Sequence, residues 1–129
     1  MPRTGWAAMA QENGSVTAQL EAWLRIRTAS GESAECLLDT GFNGSLMLPR
    51  ELISRLGLQV LGRVSIIAAG GIKSIADIAE LEIEWLGERR WTEVLVSASE
   101  DTLLGTEMLE GTRLTIDYAA HTLTISDEG

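Results

Sequence analysis

The chain is poor in the residues that most often build metal, redox and nucleic-acid sites. It has one cysteine, Cys36, and one histidine, His121, so one copy can form neither an internal disulfide nor a zinc site of cysteines and histidines. Ten basic residues stand against nineteen acidic ones, and the formal net charge is -9. A phosphate backbone or an anionic membrane surface needs a basic face. We therefore expect no metal, no cofactor and neither nucleic acid nor membrane as a partner.

Long hydrophobic runs are also missing. None reaches the length of a membrane span, and residues 1–14 hold one arginine and no apolar stretch of the kind found in secretory signals. The 129 residues suit one domain with a single core. We expect a cytoplasmic protein with a flexible tail over residues 1–15 and one folded domain over residues 16–129.

The isolated cysteine and histidine have ordinary structural interpretations. Cys36 lies in an apolar stretch that leads to Asp39, which predicts a small buried side chain. A nucleophilic cysteine needs a basic partner, and His121 lies far along the chain in a predicted turn between two strands. We expect neither residue to carry chemistry.

Apolar residues alternate with polar ones along most of the chain, with the period of a half-buried strand. The alternation runs without a break over residues 16–26. Further along, Leu81, Ile83 and Trp85 alternate with three glutamates, which we expect to form a solvated strand face. The pattern predicts about eight short strands.

One real helix interrupts these strands. It is predicted from Pro49 to Leu56, because proline suits a first helical turn and Gly57 suits the stop after a last one. A shorter helical turn is predicted from Thr106 to Glu110. Many short strands with one helix are typical of an all-β, closed or barrel-like domain.

Asp39 is the carboxylate in the most unusual setting. It follows the apolar pair Leu37-Leu38 and precedes Thr40 and Gly41, so it lies at the end of a buried-looking strand, on a tight turn. The motif has an echo at residues 102–106, where two leucines precede Gly105, again before a helical segment. Other candidate carboxylates lie in polar or turn contexts, where we expect them to be solvated: Asp77, Asp101 and Asp117.

These motifs resemble those of the aspartic proteases. Leu38-Asp39-Thr40-Gly41, followed by an apolar strand and Pro49, is similar to the active-site loop of that family. Leu103-Leu104-Gly105, followed by Met108-Leu109, is similar to its second conserved element. The length is that of the single-lobe, retroviral-type (retropepsin-like) members, and the strand pattern fits from Val16 to Ile125.

The resemblance implies a mechanism that needs two carboxylates. One deprotonates a water molecule while the other protonates the carbonyl oxygen of the scissile amide, and the pair shares one proton. This chain has one Asp in such a setting, so the resemblance implies a C2 homodimer in which Asp39 of each copy meets on the axis. Thr40 would then hydrogen-bond across the axis, and Gly41 would bring its backbone N–H to the carboxylate.

The resemblance also implies an extended polypeptide substrate, covered by a β-hairpin flap. The candidate flap tip is Ala69, Gly70, Gly71 and Ile72, in which adjacent glycines give mobility. An ordinary hairpin turn is the alternative interpretation. Phe42 departs from the family, which carries small residues after Asp-Thr-Gly; its ring either narrows the cleft or packs beneath the loop.

Two other functions remain open at this point. A non-catalytic module can keep such a fold for dimerisation or for binding an extended peptide by strand addition. An unrelated β-barrel can carry Asp-Thr-Gly by chance. The intact motif favours catalysis, because a binding module has no need of two like charges in contact.

Overall fold

The computed structural model describes residues 10–67 and 69–127. This part of the chain is mostly β-strand with one short helix, as the alternation predicts. The elements are β1 (Gln11–Val16), β2 (Ala22–Thr28), β3 (Ser33–Leu38), β4 (Leu46–Pro49), α1 (Arg50–Arg55), β5 (Val60–Ile67), β6 (Lys73–Trp85), β7 (Glu88–Ser97), β8 (Leu103–Leu104), β9 (Thr112–Asp117) and β10 (Thr122–Asp127), with 3₁₀ turns at Ala69–Gly71 and Thr106–Leu109.

All ten strands belong to one sheet, in the order β5-β6-β7-β4-β8-β3-β2-β1-β10-β9. An additional pairing joins β6 to β2, so the inner strands are paired in a closed cycle. Most neighbours are antiparallel, but β3 pairs with β8 and β4 pairs with β7 in parallel. The short strands β4 and β8 therefore lie among longer ones, at the centre of the sheet.

The core lies on the inner face of this curved sheet. Leu81, Ile83 and Trp85 on β6 are buried, whereas the alternating glutamates are partly or fully exposed, as predicted for a half-buried strand. The largest side chains that are nearly inaccessible to solvent come from strands along the whole chain and from the Thr106–Leu109 turn: Leu24, Cys36, Leu46, Leu48, Ile83, Val94, Leu104, Met108, Leu123 and Ile125. One hydrophobic core therefore holds the described domain together.

The N-terminal boundary differs from the prediction. Residues 11–15, expected in a flexible tail, lie in β1, which pairs with β2 on one side and β10 on the other. The Glu12 side chain is buried and accepts a 2.8 Å hydrogen bond from the Leu86 backbone N–H. Backbone pairing on both edges stabilises a strand whose own sequence is polar, which is why composition misplaced it. Residues 1–9 lie outside the described residues.

The single strand predicted over residues 16–26 is also wrong. The chain turns between β1 and β2, where the Leu20 backbone N–H bonds to the Thr17 carbonyl at 2.9 Å. Leu20 has a φ of 65° and is exposed. The alternation continues through a turn by coincidence, and periodicity alone does not detect the break.

Helix α1 confirms the predicted helix to within one residue at each end. Pro49 immediately precedes it, and Gly57 follows it with a φ of +70°, the left-handed conformation that ends helices. The helix buries Leu52 and Ile53 against the core. No helix in the described ranges is long and apolar enough to cross a membrane.

Candidate active site

Asp39 lies directly after β3, at the centre of the sheet. The parallel pairing of β3 with β8 places Leu37 beside Leu103 and Leu38 beside Leu104. One residue further, the Asp39 backbone N–H donates a 3.0 Å hydrogen bond to the Leu104 carbonyl oxygen. The main chain of Asp39 is thus held by the ladder, and its side chain is half-buried.

The Asp-Thr-Gly loop turns tightly around the Asp39 carboxylate. The Gly41 backbone N–H donates to Asp39 Oδ1 at 2.9 Å, and the Phe42 backbone N–H donates to the Asp39 carbonyl at 3.1 Å. A Cβ on Gly41 would lie 3.2 Å from Oδ1, so a larger residue would crowd the carboxylate. Thr40 and Gly41 are exposed, which leaves this side of the loop accessible to a partner or substrate.

The second predicted element, at Leu104 and Gly105, lies beneath the Asp39 loop. Gly105 N–H donates to the Ser45 carbonyl at 2.9 Å, and Thr106 N–H donates to the Phe42 carbonyl at 2.9 Å. A Cβ on Gly105 would lie 2.1 Å from the Gly44 carbonyl oxygen and 2.6 Å from that of Phe42. Its φ of -102° suits any residue, so close backbone approach, not backbone conformation, requires glycine here.

The Phe42 ring packs into the same support. Ideal Cβ positions on Gly44 and Gly105 would meet ring atoms at 2.7 Å and 2.6 Å, respectively. The ring is half-buried and fills the space that these two glycines leave. This contact favours packing beneath the loop over narrowing of the cleft.

The candidate flap residues lie together at the tip of the β5–β6 hairpin. Ile67 pairs with Lys73, and the turn between them contains Gly70 and Gly71, with φ values of 84° and 78°. Ala69 and Ile72 belong to the same turn, whereas residue 68 lies outside the described residues.

The hairpin is strongly apolar and strongly exposed. Ile67, Ile72 and Ile75 are 73%, 69% and 70% exposed. Three such exposed isoleucines in one hairpin favour a contact surface.

A charged cluster at the base of the hairpin was not predicted. Asp77, expected to be solvated, is only 21% exposed on β6. Arg50 Nη2 donates to its Oδ2 at 2.7 Å, and Arg63 Nε lies 3.5 Å from its Oδ1. The Arg50 hydrogen bond, with the charges of both arginines, lowers the pKa of the Asp77 carboxyl. No local sequence pattern links residues so far apart in the chain; the fold topology brings them together.

An open cavity of about 420 Å³ lies beside Arg50 and Asp77. It is lined in part by Glu51, Ile75 and Glu100.

The remaining candidates match their expectations more closely. Asp101 and Asp117 are exposed, and Asp117 Oδ1 accepts the backbone N–H groups of Ala119 and Ala120 in the turn after β9. Cys36 is fully buried, and burial, together with the charge of Glu35, raises the pKa of its thiol to about 12. His121 lies in the turn between β9 and β10, and one of its ring nitrogens is 3.1 Å from the Val16 carbonyl oxygen.

Within residues 10–67 and 69–127, no group of three or more acidic, cysteine or histidine side chains is placed to hold a metal.

Comparison with known proteins supports the fold. No protein-family model matches the chain, and no curated protein matches it in sequence. Among solved structures, the chain is similar to a retropepsin-like aspartic protease from Rickettsia conorii, with a TM-score of 0.67 and 15% identity over 97% of this chain and 98% of that one. It is also similar to the foamy viral protease-reverse transcriptase in complex with an RNA/DNA hybrid, with a TM-score of 0.50 and 15% identity over 67% of this chain and 11% of that one. At such identities, the likeness establishes a retropepsin-like fold.

Proposed function

We propose that this chain is an aspartic endopeptidase that works as a homodimer, with Asp39 of each copy forming one catalytic pair. The observation that carries the proposal is the set of hydrogen bonds that holds Asp39 in place. Its backbone is bonded to Leu104, and its carboxylate accepts the Gly41 N–H on an exposed loop. A carboxylate fixed in this way, with one side of its loop open, is prepared to meet a second carboxylate.

The dimer follows from the chemistry of amide hydrolysis. Asp-Thr-Gly occurs once in the chain, so a pair of equivalent carboxylates requires two copies. One ionised carboxylate takes a proton from water as the water oxygen bonds to the amide carbon, and the protonated partner gives its proton to the carbonyl oxygen. Collapse of the tetrahedral intermediate breaks the C–N bond: the leaving nitrogen takes the proton of one carboxyl group, and a hydroxyl of the intermediate returns its proton to the other carboxylate, which restores the singly protonated pair.

The other loop and hairpin residues have supporting roles in this proposal. Thr40 is exposed beside Asp39, where its hydroxyl can hydrogen-bond to the second copy and brace both loops. Leu104 and Gly105 form the support beneath the loop. The apolar hairpin tip closes over an extended polypeptide and excludes water. The closed cycle of strand pairings acts as a barrel-like frame that keeps these parts in register.

A binding module is the second candidate, and one observation favours it. β5 is the outermost strand at one end of the sheet, so an extended peptide can add to its edge by main-chain hydrogen bonds. This function needs no catalytic Asp39. The two candidates therefore differ in what an Asp39→Asn variant does.

Two measurements test the proposal together. The molar mass in solution is compared with the mass of one chain, and a mixed peptide library is incubated with the wild type and with Asp39→Asn. We expect a dimer whose cleavage is lost in the variant. Equal cleavage by the variant, or a wild type that stays monomeric at high concentration and still cleaves, contradicts the mechanism. Peptide binding without cleavage by both proteins supports the binding module.

A further inference from the structure

The β5–β6 hairpin extends beyond its neighbour β7. β6 pairs with β7 from Ile78 onwards, and Ile78 lies opposite Leu95. Residues 73–77 of β6 pair only with β5. Because β5 is itself the outermost strand, the hairpin beyond Asp77 has no further strand beside it in the described part of the chain. Asp77 and its cross-strand partner Arg63 mark the line where the hairpin begins to project.

Arg50 belongs to the body of the domain and contacts the hairpin at Asp77. It is the first residue of α1 and follows β4, a strand held between β7 and β8. Its 2.7 Å bond to Asp77 joins the body to the base of the hairpin. The Arg63 contact, by contrast, lies within the hairpin. Among the ion pairs of the described residues, Arg50–Asp77 is the one that connects the projecting hairpin to the rest of the fold.

The same short segment also leads to the catalytic loop. β4 has four residues, with the Asp39 loop and its Ser45 connection on one side and Arg50 directly on the other. Leu46 and Met47 of β4 pair with Leu104 and Leu103, the strand that supports Asp39. A change in how the hairpin is held at Arg50 therefore acts on a strand that contributes to the catalytic site.

We infer that the Arg50–Asp77 pair is a latch that sets the orientation of the β5–β6 hairpin relative to the rest of the domain, with Arg50 and Asp77 as positioning residues. The hydrogen bond is charge-assisted and stronger than a neutral one, and Asp77 is shielded from solvent on most of its surface. The latch restrains the base of the hairpin and leaves the tip able to move. Its effect on catalysis rests on the proposed function; its effect on the hairpin does not.

Hydrogen exchange of the backbone amides, followed by mass spectrometry on the full chain, tests the latch without any assay of activity. Arg50→Gln removes the positive charge on the body's side of the pair and keeps the aliphatic part of the side chain with a polar end. We expect the amides of residues 64–67 and 72–76 to exchange about two to five times faster than in the wild type, as for the loss of one partly exposed ion pair. Unchanged exchange in these segments overturns the inference.

Two control variants isolate the effect. Arg63→Gln removes the other arginine from Asp77 without breaking the link to the body. Glu35→Gln breaks the exposed Arg25–Glu35 pair, which has a comparable 3.0 Å contact between β2 and β3. Neither is expected to speed exchange in the hairpin as Arg50→Gln does, and an equal effect of either control contradicts the latch.

Three further variants guard against a general loss of stability. Asp77→Asn is expected to speed hairpin exchange as much as Arg50→Gln does. Arg50→Lys keeps the positive charge and is expected to retain most of the wild-type protection. The double variant Arg50→Gln/Asp77→Asn is expected to exchange no faster than either single variant. Additive effects in the double variant contradict the latch. Acceleration spread equally over β1, β2 and β3 contradicts it as well.

Cleavage kinetics separate this inference from the proposed function. If the wild type cleaves peptides, Arg50→Gln is expected to raise KM more than it lowers kcat, because the latch holds the peptide-covering hairpin directly and reaches the carboxylate pair only through β4. Faster hairpin exchange in a protein that cleaves no peptide supports the latch and removes the proposed function. Unchanged exchange in a protein that cleaves peptides removes only the latch.

Discussion

The backbone N–H of Asp39 donates a 3.0 Å hydrogen bond to the carbonyl oxygen of Leu104. This one bond joins the two apolar-strand motifs of the chain at the point where each ends in a loop. The bond continues the parallel β3–β8 ladder, so the position of Asp39 depends on the segment around Leu104 and Gly105 as much as on its own loop.

Gly105→Ala is expected to destabilise the fold strongly. The added Cβ would lie 2.1 Å from the Gly44 carbonyl oxygen, and the backbone beneath the Asp39 loop must shift to relieve the contact. Overpacking of this kind costs about 1–3 kcal/mol of unfolding free energy, measured by equilibrium urea denaturation. Gly62→Ala is the matched control, since its nearest neighbour would be 3.9 Å away. Equal stability of the two variants would show that the close approach does not matter.

The Cys36 thiol is expected to be unreactive in the native protein. It is fully buried, and its pKa of about 12 keeps it protonated near neutral pH, whereas the thiolate is the reactive form. A colourimetric thiol reagent at pH 8 should therefore label the wild type only as fast as it unfolds, and label it at once in strong denaturant. Rapid labelling of the native protein contradicts the buried position.

The Asp77 carboxylate is expected to make stability depend on acidic pH. Its pKa is lower in the folded protein, first because of the Arg50 hydrogen bond and then because of the charges of Arg50 and Arg63. The stabilisation is therefore fully present above the ordinary carboxyl pKa of about 3.9 and is lost as the pH falls through the lower folded value. Glu51 and Glu100 are further carboxylates that line the same cavity, so the wild type alone does not isolate Asp77.

Asp77→Asn isolates the contribution of this carboxylate. The difference in unfolding free energy between the wild type and Asp77→Asn should be largest near pH 7 and shrink towards pH 2, as measured by urea denaturation across that range. A difference that stays constant or grows on acidification contradicts the lowered pKa.

Thr40→Ala is expected to weaken the proposed dimer while leaving the monomer fold intact. Thr40 is exposed, so the loss of its hydroxyl costs the isolated chain little. A hydrogen bond across the axis contributes about 0.5–1.5 kcal/mol per bond, so the loss of two equivalent bonds raises the dissociation constant by roughly five- to 150-fold. Analytical ultracentrifugation measures this constant, and circular dichroism checks the fold. An unchanged constant removes Thr40 from the interface.

The sequence predicts the mostly β fold, and its two leucine-pair motifs lie side by side in that fold. The period-two pattern of Leu81, Ile83 and Trp85 lies within β6, and the segments before Asp39 and Gly105 are the two that the β3–β8 ladder joins. What it misses depends on contacts that no local pattern carries. β1 is polar and is stabilised by its neighbours β2 and β10, and Asp77 meets Arg50 only because α1 lies beside the base of the hairpin.

The most direct test of the central claim is a subunit-mixing experiment. A fixed amount of wild type is equilibrated with increasing amounts of Asp39→Asn, and peptide cleavage is measured once the subunits have exchanged. If each site needs Asp39 from both copies, every mixed dimer is inactive, and cleavage falls with the fraction of wild-type chains that still face a wild-type partner. Cleavage that stays constant however much Asp39→Asn is added contradicts the shared catalytic pair.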